Sequence, residues 1–387
     1  MTSEPITDPV ANEPYSLAKL SLYFLKLGTT GFGGPIPLAG YMERDLVENR
    51  AWVTKDEFTR GLAFSKMAPG PFATQLALYI GYLRSGIWGT TLVALSFIAP
   101  SFIMVVALAI IYQEYGAMHW MQATFAGVSA AVLGVIARSA YKLSRSTMGK
   151  DGFLWIIYVA AAIVAIILEN EPIWLLLFAG LITMSFKAWP ATKQLFSRAN
   201  TFAPFLLSIT ESPALAPGFV ELFWYFVQAG TVVFGSGMAI VPFLYGGVVQ
   251  EHHWLTHRQF LDAVAVSMIT PGPLVITTAF IGYLINAFPG AIAAALGVFL
   301  PVYLFVIILT PLYERLAKNS AFQAFIKGVT AAATGAIAAA LINLTRHSTL
   351  GPIEIAFAVI ALVLTFKTKI PEPIIIIASG ILGVILL

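Results

Sequence analysis

The chain contains an internal duplication that carries the same helix-breaking tripeptide twice. Residues 24–71 align with residues 226–273 without a gap at an offset of 202, and residues 81–127 align with residues 282–328 at an offset of 201. Pro-Gly-Pro stands at 69–71 and again at 271–273, each time in an apolar stretch suited to a buried helix. Proline removes a helical hydrogen bond, and glycine loosens the backbone. The fold must therefore accommodate one broken helix in each of two repeats.

The alignment predicts four regions along the chain. They are an N-terminal tail at 1–16, a first repeat at 17–186, a linker at 187–217 and a second repeat at 218–387. Within the first repeat we expect short helical segments at 17–31, 35–48, 55–68 and 71–84, and longer ones at 87–113, 118–143, 152–169 and 172–186. At 1.5 Å per residue, each short segment is only about 18–23 Å long, too short to cross a bilayer alone.

The long apolar runs place the chain among integral membrane proteins. Residues 87–112, for example, exceed the roughly 20 residues that span a hydrocarbon core. Only 11% of the residues are charged, against about 25% in soluble proteins. The N-terminus lacks a signal peptide, the absence of cysteine excludes disulfides and thiolate metal sites, and the net charge of +3 requires no nucleic-acid partner. The predicted fold class is an all-α, polytopic, multi-pass membrane protein.

Basic residues indicate that the two repeats have opposite orientations. The end of segment six and the loop after it carry four basic residues, and the loop before it carries none; these four are Arg138, Lys142, Arg145 and Lys150. In the second repeat the earlier loop carries Arg315 and Lys318, and the later one only Arg346. Because Lys and Arg favour cytoplasmic loops, equivalent loops lie on opposite sides, as in an inverted repeat with broken or re-entrant helices.

Inversion requires an odd number of crossings in each repeat. We expect four long spans and one crossing made by a pair of short segments. Segments three and four are then expected to form a re-entrant hairpin with Pro-Gly-Pro at its tip. This arrangement puts both termini outside.

The breaks are predicted to form an anion site near the bilayer midplane. A helix N-terminus offers free N–H groups and a partial positive charge, and glycine admits a close oxyanion. Nearby hydroxyl and amide groups add hydrogen-bond donors. The candidate substrate-binding residues are Gly33, Gly34, Pro35, Ser65, Lys66, Pro69, Gly70, Pro71, Gln75, Gly235, Ser236, Gly237, Ser267, Thr270, Pro271, Gly272, Pro273 and Thr277. The alternative interpretation is that these kinks serve helix packing alone.

Three further charged residues are candidates for coupling rather than binding. Asp262 lies in an apolar run and is a candidate proton carrier, Arg60 occupies the equivalent position in the first repeat, and Lys26 is a candidate pathway residue. Structural ion pairs and a side chain reaching to the interface are the alternatives. His253 and His257 do not share a helical face, which disfavours a metal site.

The motifs resemble those of the chromate ion transporter family in its two-domain form. They are GFGGP at 31–35, MERDL at 42–46, W-x-T-x-x-E-F at 52–58 and APGP at 68–71, with weaker copies in the second repeat. The resemblance implies efflux of chromate across the plasma membrane and repeats of opposite orientation. It also marks as motif residues Gly33, Gly34, Pro35, Pro69, Gly70, Pro71, Gly235, Pro271, Gly272 and Pro273. The second repeat departs from the pattern, with FGSG at 234–237.

The leading functional prediction is a secondary active exporter of chromate, with coupling to protons or to sulfate exchange both left open. A carrier of sulfate or another oxyanion and an anion channel are the alternatives. An enzyme acting on lipid phosphates is disfavoured because no suitable cluster of acids or nucleophiles occurs at depth. We therefore expect no enzymatic activity and no cofactor. The expected partners are chromate, sulfate as a second anion, the lipid bilayer and a second copy in a homodimer.

Overall fold

A computed structural model describes residues 15–32, 34–169, 173–188, 217–234, 237–348, 350–368 and 370–387, and these residues are almost entirely helical. The first repeat contains seven helices. They are α1 (Leu17–Thr30), α2 (Pro35–Met42), α3 (Lys55–Met67), α4 (Phe72–Tyr115), α5 (His119–Met148), α6 (Gly152–Leu168) and α7 (Ile173–Lys187).

The second repeat has the same helices in the same order, with one short addition. They are α8 (Phe219–Val232), α9 (Ile240–Leu244), α10 (His257–Ile269), α11 (Thr277–Leu309), the added α12 (Tyr313–Ala317), α13 (Ser320–His347), α14 (Pro352–Lys367) and α15 (Glu372–Leu386). A π-helical segment extends α2 over Glu43–Asn49 and α9 over Tyr245–Glu251. The expected linker residues 189–216 lie outside the described part of the chain.

Capping boxes start the third helix of each repeat, as the sequence predicts. The Thr54 side chain accepts from the Glu57 main-chain N–H, and the Glu57 carboxylate accepts from that of Thr54. Thr256 and Gln259 make the same pair of bonds at the start of α10. Such a box satisfies two otherwise unpaired amides and so fixes where the helix begins.

Helices α4 and α11 each double back on themselves near one end. Residues Ser85 and Gly86 have non-helical dihedral angles, so α4 consists of a first arm at 72–84 and a second arm at 87–115. A Cβ built on Gly89 would lie 1.9 Å from the carbonyl oxygen of Gly81, eight residues earlier. In a straight helix that separation is about 12 Å, so the two arms are antiparallel. In α11 the reversal falls at 286–287, between Gly282 and Gly290.

Both pairs of short segments in the first repeat enter and leave at the same end of the molecule. Tyr15, before α1, stacks on Trp52, before α3, with ring centroids 4.9 Å apart. The Arg84 guanidinium, at the end of the first arm of α4, donates to the main-chain oxygen of Tyr15. The expectation that one short pair crosses the membrane is therefore wrong, because α1–α2 returns just as α3 and the first arm of α4 do. The described helices of the first repeat then make four crossings, the second arm of α4 and α5–α7, and not the odd number expected. Tyr15 consequently lies at the end where α5 finishes, and the N-terminus that was expected outside is not among the described residues.

The short segments of the second repeat start from the opposite end. Arg258, in the first turn of α10, donates to the carbonyl of Gln122, in the first turn of α5. The His257 ring contacts the Ser348 hydroxyl just beyond α13 at 2.9 Å. Asn286, at the reversal of α11, donates to the carbonyl of Pro217 before α8. The inverted relation of the repeats is thereby confirmed for the described residues.

Long helices of each repeat pack against the paired helices of the other. Helix α13 packs on α6 and α7, and α5 packs on α14 and α15. Four described helices are long and apolar enough to cross a membrane: α4, α5, α11 (with the preceding residues from Leu274) and α13. The apolar helices α6, α7 and α15 have 15–17 residues. The chain is thus a polytopic, all-α membrane protein, as predicted.

Basic side chains concentrate at one end of the molecule. Arg145, Lys187 and Lys367 lie in the last turns of α5, α7 and α14, and Lys318 follows α12. All four are at the end from which the first repeat's short segments enter. The positive-inside rule predicts that this end faces the cytoplasm and that the short segments of the second repeat enter from outside.

Single cysteines are expected to report this topology, because the natural chain has none. Lys55→Cys and Ser85→Cys should react with a membrane-impermeant maleimide from the cytoplasmic side only. His253→Cys and Ala287→Cys should react from the outside only. Labelling of right-side-out and inside-out vesicles measures both pairs. Two members of one pair reacting from opposite sides would show that the segment crosses and does not return.

Candidate functional site

The two repeats meet where their helices are broken, and they exchange main-chain hydrogen bonds there. The Gly70 N–H donates to the carbonyl of Val233 at 2.6 Å, and the Gly272 N–H donates to the carbonyl of Gly31 at 3.0 Å. Gly70 aligns with Gly272, and Gly31 aligns with Val233, so the two bonds are equivalent under the repeat. An antiparallel bridge between Pro69 and Phe234 extends the first contact. Each Pro-Gly-Pro therefore pairs with the C-cap residue of the first helix in the other repeat.

Glycine is required at the centre of both tripeptides by conformation and by space. Gly70 has φ of 134° and Gly272 has φ of 103°, values that residues with a side chain rarely adopt. A Cβ on Gly272 would lie 1.9 Å from the Ser101 hydroxyl oxygen of α4, and one on Gly70 would lie 2.9 Å from a Val302 methyl of α11. Ser101 and Val302 are themselves equivalent. The tripeptides thus pack against equivalent points on the two long helices.

The start of α4 leaves several main-chain N–H groups unpaired. Pro71 is the N-cap residue and precedes the first helical turn, one position before the predicted place. Among the hydrogen bonds of the described residues, none uses the N–H groups of Phe72, Ala73 or Thr74. All three residues are buried. A helix N-terminus with free amides attracts negative charge.

Two polar side chains add to this start. The Thr74 hydroxyl and the Gln75 carbonyl oxygen are buried and have no hydrogen-bond partner in the described structure, whereas the Gln75 amide donates to the carbonyl of Pro69. Buried polar groups are rarely left unpaired, so these two atoms are candidates to bind a polar ligand. Gln75 was predicted, but Thr74 was missed. The sequence does mark Thr74, because Thr74 and Gln75 are adjacent polar residues in the first turn after Pro-Gly-Pro.

The equivalent start in the second repeat is apolar. Leu274, Val275 and Ile276 form a short 3₁₀ turn after Pro273, and the Ile276 N–H donates to the carbonyl of Pro273. Thr277 follows and donates to the carbonyl of Leu274. The two starts therefore differ in backbone, an α-helical turn against a 3₁₀ turn, and in polarity. Polar groups suited to a ligand concentrate in the first repeat.

The other predicted hydroxyls are bonded within their own helices. Their hydrogens are donated to main-chain carbonyls three or four residues earlier, which leaves only lone pairs for a ligand; these residues are Ser65, Ser267 and Thr270. Gly34 has φ of 79° and precedes Pro35, the first residue of α2, as predicted. Gly237 is buried in a short 3₁₀ turn. The predicted residues Gly33, Gly235 and Ser236 lie outside the described residues.

The predicted charged residues do not gather at one point. Lys66 is exposed near the end of α3, three residues before Pro69, and Lys26 is exposed on α1. Arg60 pairs with Asp56 at 2.8 Å. Asp262 is buried and accepts from the Tyr112 hydroxyl at 2.7 Å and from the Ser129 hydroxyl at 2.8 Å. Only Lys66 lies within a turn of the breaks.

This geometry defines a class: polytopic helical membrane proteins with inverted repeats whose half-helices meet in the protein interior. Such meeting points bind ions in transporters of this architecture. Sequence comparison then gives the family, because the family described as "Chromate transporter" matches residues 18–184 and 220–384. The chain belongs to the chromate transporter family.

Relatives share most of the chain. It is 49% identical to the probable chromate transport protein of Synechococcus elongatus, covering 96% of each chain. It is 48% identical to the chromate transport protein of Cupriavidus metallidurans, covering 96% of this chain and 93% of that one. An uncharacterized transporter of Bacillus subtilis is 29% identical and matches 46% of this chain but 88% of its own length. No solved structure matches the chain.

Proposed function

We propose that the protein is a secondary active carrier that exports chromate across the plasma membrane and holds the anion at the start of α4. The observation that carries the proposal is the group of unpaired donors there. The free N–H groups of Phe72, Ala73 and Thr74 lie beside the unpartnered Thr74 hydroxyl. The Gln75 amide can turn toward the same point, because rotation about its last bond exchanges its oxygen and nitrogen.

A tetrahedral dianion suits neutral donors of this kind. Charged partners on every side would hold it too tightly for release, whereas main-chain dipoles bind it moderately. In a cell with a negative interior, outward movement of a dianion is favoured by about 4.6 kcal/mol per 100 mV. The names of the relatives supply chromate as the anion. The shape and charge of the site fit sulfate equally well, so the experiment must rank the two.

Counterflow in proteoliposomes tests the proposal. Purified protein in vesicles loaded with unlabelled chromate should accumulate labelled chromate transiently from outside, as a carrier does and a channel does not. Sulfate inside should drive the same uptake less well. Uptake that follows the electrical potential without transient accumulation would indicate a channel. Stronger counterflow with sulfate than with chromate would make this a sulfate carrier.

Lys66 is expected to contribute long-range attraction at the entrance to the site. Lys66→Met copies the residue at the equivalent position of the second repeat, Met268, and keeps a flexible apolar stem. We expect the KM for chromate to rise about 10-fold, the effect of losing roughly 1.4 kcal/mol of charge attraction, with little change in kcat. Initial rates of uptake at varied chromate concentration measure this. A wild-type KM in Lys66→Met would remove Lys66 from the pathway.

A further inference from the structure

The carboxyl group of Asp262 joins a hairpin of the second repeat to two long helices of the first. Asp262 lies on α10 and is 1% exposed. The Tyr112 hydroxyl of α4 donates to one carboxyl oxygen at 2.7 Å, and the Ser129 hydroxyl of α5 donates to the other at 2.8 Å. Both partners are neutral. The acid is therefore buried at an interface between the repeats without a bonded cation.

The surroundings of Asp262 supply little compensating charge. Arg258, one turn earlier on α10, donates to the carbonyl of Gln122 on α5. Helix α11 contains no Asp, Glu, Lys, Arg or His. The charged groups Arg138 of α5 and Glu372 of α15 pair with each other at 2.7 Å. The π-helical segment 245–251 contributes Tyr245, whose hydroxyl contacts Gln250 at 3.0 Å.

Burial and ionisation oppose each other at such a position. A carboxylate removed from water without a cation is costly, and it is relieved by taking up a proton. The protonated acid keeps both contacts, since a hydroxyl partner can accept as well as donate. Packing of α10 on α4 and α5 therefore favours the protonated acid. Ionisation favours a hydrated, separated interface, because a proton that binds one state better shifts the population toward it.

The equivalent interface in the first repeat is built differently. Arg60 stands in place of Asp262, and its side chain is 54% exposed. Arg60 pairs with Asp56 of the same helix, whose side chain is exposed as well. One hairpin thus carries a permanent charge at the protein surface. The hairpin of the second repeat carries the titratable Asp262, which is buried against α4 and α5.

We propose that Asp262 is the proton-binding site of the transport cycle and controls the contact of α10 with α4 and α5. The inference rests on the carrier function proposed above and adds its coupling ion. A carboxylate oxygen takes a proton from extracellular water while the interface is open, and the interface then closes. Later in the cycle the carboxyl group gives this proton to water on the cytoplasmic side, so that one proton enters as chromate leaves. No oxidation or reduction accompanies these steps.

Asp262→Asn tests the proposal in proteoliposomes that contain trapped pyranine. The variant should lose the stimulation of chromate uptake by a pH gradient and the inward proton flux that accompanies chromate export. Wild-type stimulation in Asp262→Asn would overturn the proposal.

A second variant tests the proton-binding role of Asp262 if Asp262→Asn does not fold. Tyr112→Phe removes a donor that stabilises the ionised acid but leaves the acid in place. The midpoint of the pH profile of chromate flux should move upward by about one to two pH units. Tyr303→Phe, which removes a hydroxyl contact to Thr91 between α4 and α11, is the matched control and should not shift the midpoint. An unmoved midpoint in Tyr112→Phe would overturn the proposal.

The wild-type protein separates the two proposals. Net chromate export without accompanying proton movement would refute the role of Asp262, and chromate counterflow by the same protein would leave the carrier function standing. Absence of counterflow in folded wild-type protein would refute the carrier function itself.

Discussion

Replacing Thr74 with valine and Gln75 with leucine in one chain is expected to lower chromate counterflow about 100-fold or more. Both side chains are buried, and each has an atom without a hydrogen-bond partner in the described structure. A hydrogen bond to a charged group contributes about 1.5–3 kcal/mol. Two such bonds to the anion therefore account for a loss of this size. Counterflow of labelled chromate measures the effect directly.

Thr74→Val alone is expected to be more stable than the wild type in the absence of substrate, whereas Gln75→Leu would also lose the amide bond to the Pro69 carbonyl. A buried polar atom without a partner costs about 1–3 kcal/mol, and an apolar group of similar shape removes that cost. Thermal unfolding in detergent should therefore shift to higher temperature while transport falls. Opposite changes of stability and transport distinguish a binding role from a structural one.

Thr90→Val provides the control for this pair. Thr90 is also buried on α4, but its hydroxyl donates to the carbonyl of Gly86 at 3.1 Å. Its replacement should lower stability slightly and leave transport near the wild-type rate. If Thr74→Val/Gln75→Leu transports as well as Thr90→Val does, the anion does not bind at the start of α4.

Gly272→Ala is expected to prevent accumulation of folded protein, whereas Gly70→Ala should fold and transport poorly. Both glycines have positive φ, which costs a residue with a side chain about 1–2 kcal/mol. The added Cβ at Gly272 would lie 1.9 Å from the Ser101 hydroxyl oxygen and 3.0 Å from its Cβ, so helix α4 must shift. At Gly70 the closest atom is the Gln75 amide nitrogen at 2.5 Å, the far end of a flexible side chain that can move.

The expected order is measured as the monodisperse fraction after extraction from membranes. Ser101→Ala combined with Gly272→Ala should recover part of the folded protein, because it removes the nearer of the two clashing atoms. Gly40→Ala is the control, since its Cβ would have no heavy atom within 4 Å. Equal yields for Gly272→Ala and Gly40→Ala would mean that the Pro-Gly-Pro of the second repeat is not packed against α4.

Local signals made much of the fold predictable. The eight segments expected in the first repeat begin and end close to the observed helices, because apolar runs, capping boxes and prolines act over a few residues. The inverted orientation was predictable from loop charges for the same reason. The number of crossings was not. Whether a short segment crosses or returns depends on contacts such as Tyr15 with Trp52, which join distant parts of the chain.

The candidate site was predictable as a location but not as a set of bonds. Sequence reasoning placed the candidate site at the breaks and counted hydroxyls such as those of Ser65 and Thr270 as donors, but not that of Thr74. In a helix interior, serine and threonine often donate to a carbonyl of the preceding turn, and Ser65 and Thr270 do so. Thr74, in the first turn of α4, has no such carbonyl within its own helix. The hydrogen bonds of Gly70 and Gly272 link residues from different repeats, so no local sequence pattern predicts them.

The crossed hydrogen bonds at the breaks also bear on how such proteins arise. A single repeat on its own would bury the Gly70 amide and the Gly31 carbonyl without their partners. It would also leave α6 and α7 without the helix on which they pack. A chain of half this length is therefore an incomplete molecule and needs a second, oppositely inserted chain. Gene fusion would then have joined two subunits that already depended on each other, rather than extending a protein able to stand alone.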